Sequence, residues 1–130
     1  GNLYICEREG NSIRKIDRDG IMTTVSGNGK PGYDGDGGHA INATWRGPKA
    51  IRCDNQDNLI VVDTENHAVR RIDRKTSIVT TVAGGHRGNG GDGGPATRAG
   101  LDRPHGCSID REGNLYIADS DNHRIRRVQG

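Results

Sequence analysis

Residues 63–73 read DTENHAVRRID, and residues 119–128 read DSDNHRIRRV. A more worn version, EREGNSIRKID, occupies residues 7–17. An acid, a polar turn and a basic, partly apolar segment therefore recur three times within 130 residues. The spacing is regular. Asn2, Asn58 and Asn114 each precede a leucine, and each lies 56 residues from the next. The same shift carries Asp36 to Asp92, Ala40 to Ala96, Ala43 to Ala99, Pro48 to Pro104 and Asp54 to Asp110. One residue slips where Ile21 matches Ile78, and the register recovers before Asp36. A fixed period of this length marks a repeat architecture, whose units bury their faces only against neighbouring units.

Composition alone points the other way. The chain is 30% hydrophobic and 28% charged, a balance that in many chains leaves too little apolar surface to fold. Two features oppose disorder here. The charges nearly cancel, leaving a formal net charge of +2. The apolar residues also fall in short runs, LYI, LIVV, SIVTTV and LYIA, with Gly, Asn and Asp between them. That is the pattern of short strands joined by tight turns. No apolar run approaches the ~18 residues of a membrane-spanning helix.

One unit parses into four strands: PKAIRCD (48–54), LIVVD (59–63), HAVRRID (67–73) and IVTTVAG (78–84). Four consecutive strands with tight turns form an antiparallel meander. The runs LIVV and LYIA are apolar at successive positions, so both faces of those strands must be covered. Four-stranded meanders stacked face to face at a fixed period are the blades of a β-propeller. The expected fold is therefore all-β: a partial ring of four-stranded antiparallel blades with a 56-residue repeat. The whole chain reads as one such segment. It divides into a partial blade at 1–27, a full blade at 48–84 and a partial blade at 104–130, with Gly-rich connectors at 28–47 and 85–103. The GDGG of each connector supplies turn chemistry, and a short helical turn is expected at 96–101. The matched sets Ala40, Ala43, Trp45 and Ala96, Ala99, Leu101 are expected to pin each connector on a blade.

These residues resemble a known family. Asp63, Asn66, His67, Val69 and Arg70, with Asp119, Asn122, His123, Ile125 and Arg126, look like the NHL repeat, named for an Asn-His-Leu signature. The upstream GNLYIAD and RPHGCSID, and the connector GDGGPATRAGL, are similar to bacterial-type members. The resemblance implies a propeller, commonly of six blades, and says little about activity. The first copy departs from it: Glu7, Gly10 and Asn11 stand where Asp63, Asn66 and His67 stand. The strands number three, four and three, fewer than a closed ring needs. The expected partners are therefore further blades, supplied by a longer chain or by copies in a homo-oligomer.

The repeated phrase reads first as a structural turn formed by Asp63, Asn66, His67, Asp119, Asn122 and His123. An acid and an imidazole four residues apart across a turn can bond to each other or to turn amides. A catalytic pair would need a nucleophile or metal beside it, and no Ser or Cys recurs in place, so no catalytic residue is assigned. Arg70, Arg71, Arg126 and Arg127 read as ion-pair partners or solvated edges. Cys6, Cys53 and Cys107 lie in strand-like runs without CxxC spacing and read as small buried hydrophobes. They indicate no compartment.

Ligand-binding candidates are Asp36, His39, Trp45, Lys49, Asp92 and His105. His105 opens a first strand, which in a propeller lines the central channel, and PHG there resembles the channel histidines of amidating lyases. The matching residue is Lys49, however, and an open catalytic zinc site usually needs three imidazoles. His105 is thus a weak metal candidate, no metal or cofactor is assigned, and Lys49 with His105 could instead take an anionic ligand. Asp36 and Asp92 lack the dense acid alternation of a calcium loop. RNA binding wants stacking aromatics, and only Trp45, Tyr4, Tyr33 and Tyr116 are available. The reading is a propeller binding or interaction module. The alternatives are a channel-centred lyase or hydrolase, or an RNA-binding domain.

Overall fold

The structure, a computed structural model, describes residues 1–130. It is all-β, with three antiparallel sheets and four 3-10 turns. The first sheet holds β1 (Leu3–Glu7), β2 (Ser12–Ile16) and β3 (Met22–Ser26) in that order. The second holds β4 (Ala50–Cys53), β5 (Leu59–Asp63), β6 (Ala68–Ile72) and β7 (Val79–Gly84). The third holds β8 (Gly106–Ile109), β9 (Leu115–Asp119) and β10 (Arg124–Val128). All pairings join consecutive strands, which makes each sheet a meander. The inner strands β4 and β8 lie side by side.

The packing follows from the apolar runs. Every residue of β5 is buried. Leu59 and Val61 face one way, into a cluster with Ile13 of the first sheet and Ala40, Ala43 and Trp45 of the first connector. Ile60 and Val62 face the other way, with Val69 and Ala83, onto Leu101, Leu115 and Ile117. A strand at the centre of a sandwich cannot alternate apolar with polar residues, because either face would then bury polar groups. The middle sheet is thus covered on both sides. The outer faces of the other two sheets expose Leu3, Met22 and Ile125, at 58%, 45% and 69%.

The matched apolar sets do pin the connectors. Ala40 and Ala43 are buried between the first two sheets, and Ala99 and Leu101 between the last two. The helical turn at Ala96–Arg98 forms, as does its partner at Ala40–Asn42, but each is only three residues long. Small residues are needed where each connector folds on itself: a Cβ on Gly35 would lie 2.6 Å from the Cα of Ala43.

Two expectations need correction. Cys53 is exposed, because it ends β4 at the sheet margin, and Cys6 and Cys107 are only partly buried. Burial raises the Cys107 thiol to about 11, which keeps it protonated. Trp45 is not a surface residue but fully buried. Its indole Nε1–H donates to Ser26 Oγ at 2.8 Å, and its ring lies 4.4 Å from the Arg70 guanidinium.

Candidate functional site

The repeated phrase is a clamp on two connectors. Asp63 ends β5, and its Oδ1 accepts the backbone N–H of Arg46 at 2.8 Å. Its Oδ2 accepts from Asn66 Nδ2 and Arg70 Nη1. Asn66 also donates to the carbonyl of Gly32 at 2.8 Å. Arg70, with no exposed side-chain surface, donates to Asp36, to the carbonyls of Asp34 and Thr44, and to Asp63. The third sheet repeats the set: Asp119 accepts from the amide of Asp102 and from Asn122 and Arg126, and Arg126 reaches Asp92 at 2.8 Å. Burial holds the Asp63 carboxyl above the ordinary aspartate value, although the bonds from Asn66, the Arg46 amide and Arg70 act to lower it.

His67 looks forward instead. It adopts a left-handed backbone, with φ of 54°. Its Nδ1 accepts the N–H of Arg103, in the next connector, at 3.1 Å. Asp63 and His67 therefore do not bond to each other; each holds a different connector. The first copy keeps this role despite its altered sequence. Asn11 has φ of 50°, and its Oδ1 accepts the N–H of Gly47 at 2.9 Å. An amide oxygen there does what an imidazole nitrogen does in the second copy.

The ligand candidates separate into two groups. Asp36 and Asp92 are salt-bridged to Arg70 and Arg126, and His39 Nδ1 accepts the amide of Ile41 at 3.1 Å to cap a helical turn. Trp45 is in the core. Lys49 and His105 are brought together. They immediately precede β4 and β8, and their Nζ and Nε2 atoms are 3.3 Å apart on the surface. An ammonium can only donate, so neutral His105 accepts on Nε2 and carries its proton on Nδ1.

Charge surrounds this pair. Partial desolvation, then Arg8 and Arg103, lower the Lys49 ammonium below the usual lysine value. Desolvation, then Lys49 and Arg103, lower His105 below the usual imidazole value. Arg103 Nε is bonded to Glu65 Oε1 at 2.6 Å, and its Nη1 is 3.6 Å from Asp121. Arg8 and Arg103 were not singled out from the sequence. A signal was available: they occupy the repeat positions of Thr64 and Gly47, so they break the period beside Lys49 and His105. No group of three His, Cys, Asp or Glu side chains able to hold a metal ion occurs in the structure. The charges acting on His105 are the cations Lys49, Arg103 and Arg8 and the anion Asp121.

The NHL repeat family matches residues 101–128, which span Leu101, β8, β9 and the third clamp through Val128. One NHL repeat is thus matched, at the third sheet. NHL repeat-containing protein 2 of Bos taurus is 30% identical over 132 residues, covering 95% of this chain and 18% of that protein. Among solved structures, a protein of unknown function from Bacteroides thetaiotaomicron superposes with a TM-score of 0.86 at 26% identity. That match covers 98% of this chain and 32% of the other. An auxiliary nutrient binding protein from Bacteroides ovatus gives a TM-score of 0.76 at 25% identity, covering 95% of this chain and 33% of the other. These neighbours are β-propellers, as the sheet architecture requires. The chain thus spans 18% of this curated relative and about a third of these solved chains.

Proposed function

We propose that this chain is the binding portion of an NHL propeller, with an anion-receiving site where Lys49 meets His105. The observation that carries the reading is their 3.3 Å approach from two adjacent sheets, within the field of Arg8 and Arg103. A carboxylate or phosphate group placed there would accept from Lys49 Nζ, would favour protonated His105 as a second donor, and would offset the charge of Arg8 and Arg103, which adds to desolvation in lowering both groups. Glu65 and Asp121 neutralise much of Arg103, which leaves Lys49 and His105 as the specific donors. Of the relatives, the nutrient binding protein agrees with a binding role. The RNA alternative loses its best stacking platform, because Trp45 is buried.

Calorimetric titration with inorganic phosphate and with a short dicarboxylate tests the proposal. Millimolar or tighter binding is expected, falling about tenfold in Lys49→Ala and weakening with added salt. No heat with either anion, or equal binding by Lys49→Ala, would sink it.

A further inference from the structure

The chain has four lysines, Lys15, Lys30, Lys49 and Lys75, and only Lys49 makes a side-chain hydrogen bond. Its partner is a base. A surface ammonium ordinarily pairs with a carboxylate, whereas Lys49 Nζ meets His105 Nε2 at 3.3 Å. The nearby acids are engaged elsewhere. Glu65 accepts from Arg103 Nε at 2.6 Å, and Asp121 lies 3.6 Å from Arg103 Nη1. The Lys49 proton therefore points at a group that can take it up, not at an anion that can only hold it. Sheet packing sets this pair. Lys49 immediately precedes β4 and His105 immediately precedes β8, and those two strands lie side by side.

The surroundings favour the amine over the ammonium. Desolvation, then Arg8 and Arg103, lower Lys49, while Glu65 and Asp121 act the other way and more weakly. A lysine held beside other cations is a recurring source of nucleophilic amine at neutral pH. His105, also lowered, stays neutral there and is free to accept a proton. The same two arginines attract an anionic reagent. An amine, a proton acceptor and a cationic seat thus converge at one place on the surface.

We propose that Lys49 is an acylation site for acyl phosphates, with His105 as proton acceptor and Arg8 and Arg103 drawing in the phosphoryl group. The inference rests on the anion-receiving reading of this pair. The Lys49 amine attacks the acyl carbonyl carbon, and an N–C bond forms. The proton lost from Nζ passes to His105 Nε2. The C–O bond to phosphate then breaks, the phosphate leaves with the electron pair, and His105 returns the proton to it. The products are an Nζ-acyl lysine and inorganic phosphate. Acylation replaces an ammonium with a neutral amide, so it also closes the anion site. The modification is in this way a switch on the binding that precedes it.

Incubation with acetyl phosphate, followed by peptide mass spectrometry, tests the proposal with Lys15, Lys30 and Lys75 as internal references. Lys49 is expected to acetylate about tenfold or more faster than any of them, a modest part of what a positioned proton acceptor contributes. Inorganic phosphate should slow Lys49 and leave the references unchanged. His105→Gln, which keeps a polar group but removes the base, should bring Lys49 close to the reference rate. Uniform acetylation of all lysines, or a Lys49 rate unchanged in His105→Gln, would overturn the proposal. The uncharged reagent N-acetoxysuccinimide separates this inference from the reading beneath it. Lys49 selectivity with that reagent but not with acetyl phosphate would deny the anion seat, and the acyl phosphate donor with it. Phosphate binding by calorimetry alongside uniform acetylation would leave the anion site standing and remove the acylation alone.

Discussion

Arg70 and Asp63 meet at 3.2 Å with neither side chain reaching solvent. Arg70 also holds two connector carbonyls and Asp36, so one guanidinium joins the 28–47 segment to the sheet that follows it. Burying such a pair brings little net stability, but removing one partner strands the other. Arg70→Met is expected to cost about 3–5 kcal/mol in urea unfolding. Asp36→Asn should cost much less, because Asp36 is 39% exposed. The pH dependence adds a check. A carboxyl raised in the folded state binds more protons folded than unfolded, so its destabilising effect grows as pH rises through that window. Losing Arg70 raises Asp63 further, so the gap between variant and wild type should narrow as pH falls.

His67 and Asn11 share a left-handed backbone and a connector amide. His67→Asn should therefore stay within about 0.5 kcal/mol of wild type, since asparagine tolerates that backbone. His67→Ala should cost about 1–2 kcal/mol, through the orphaned Arg103 amide and the strained φ. Thermal or urea melts of both variants distinguish a required acceptor from a required imidazole.

Histidine titration by NMR should find His105 below the usual imidazole value, because of desolvation and then Lys49. Lys49→Ala should move it upward, and saturating phosphate should do the same in the wild type. A depressed imidazole binds fewer protons folded than unfolded. Its contribution is therefore fully retained above pH ~6.5 and declines as pH falls below that value. An unchanged His105 titration in Lys49→Ala would show that the pair does not interact in solution.

Glu65 is lowered mainly by its bond from Arg103. Its contribution is present above the unfolded glutamate value and is lost as pH falls through the depressed one. Glu65→Gln should remove part of the acid sensitivity below pH ~4.5 while changing little at neutrality. Melts at several pH values provide the comparison.

Gly84 closes β7 with φ of 73°, and an added Cβ would lie 2.3 Å from the His67 carbonyl oxygen and 2.7 Å from Leu101 Cδ1. Gly84→Ala should destabilise by well over the ~1 kcal/mol of conformational strain alone, because backbone cannot yield. Gly20→Ala has no neighbour within 4 Å and should show only the strain of its φ of 80°.

Much of this architecture was legible in the residues. The 56-residue period, the doubly apolar LIVV and the turn-flanked meander gave sheet order and strand limits, because burial on two faces leaves a direct mark on sequence. The Gly-rich connectors were harder to read. Nothing in GDGG announces that its aspartate meets an arginine 34 residues later, since an ion pair across a fold has no periodic signature. Trp45 carried two readings, a pin matched to Leu101 and a ligand candidate, and its burial agrees with the first and not with the second. The first copy looked degraded because identity was compared where geometry was the conserved quantity: Asn11 differs from His67 in name and agrees in function.

The clamp also puts the written unit and the cooperative unit out of phase. Sequence divides the molecule at each sheet, yet Asp34, Asp36, Thr44 and Arg46 are tethered to the sheet downstream of them, through Arg70 and Asp63. A deletion or graft cut at the end of a fourth strand therefore keeps the arginine and aspartate tethers with their anchors and gives up the hold of Asn11 or His67 on the next connector. A cut placed just before a first strand severs the guanidinium from its ligands, and engineers shuffling such modules should choose their seams accordingly.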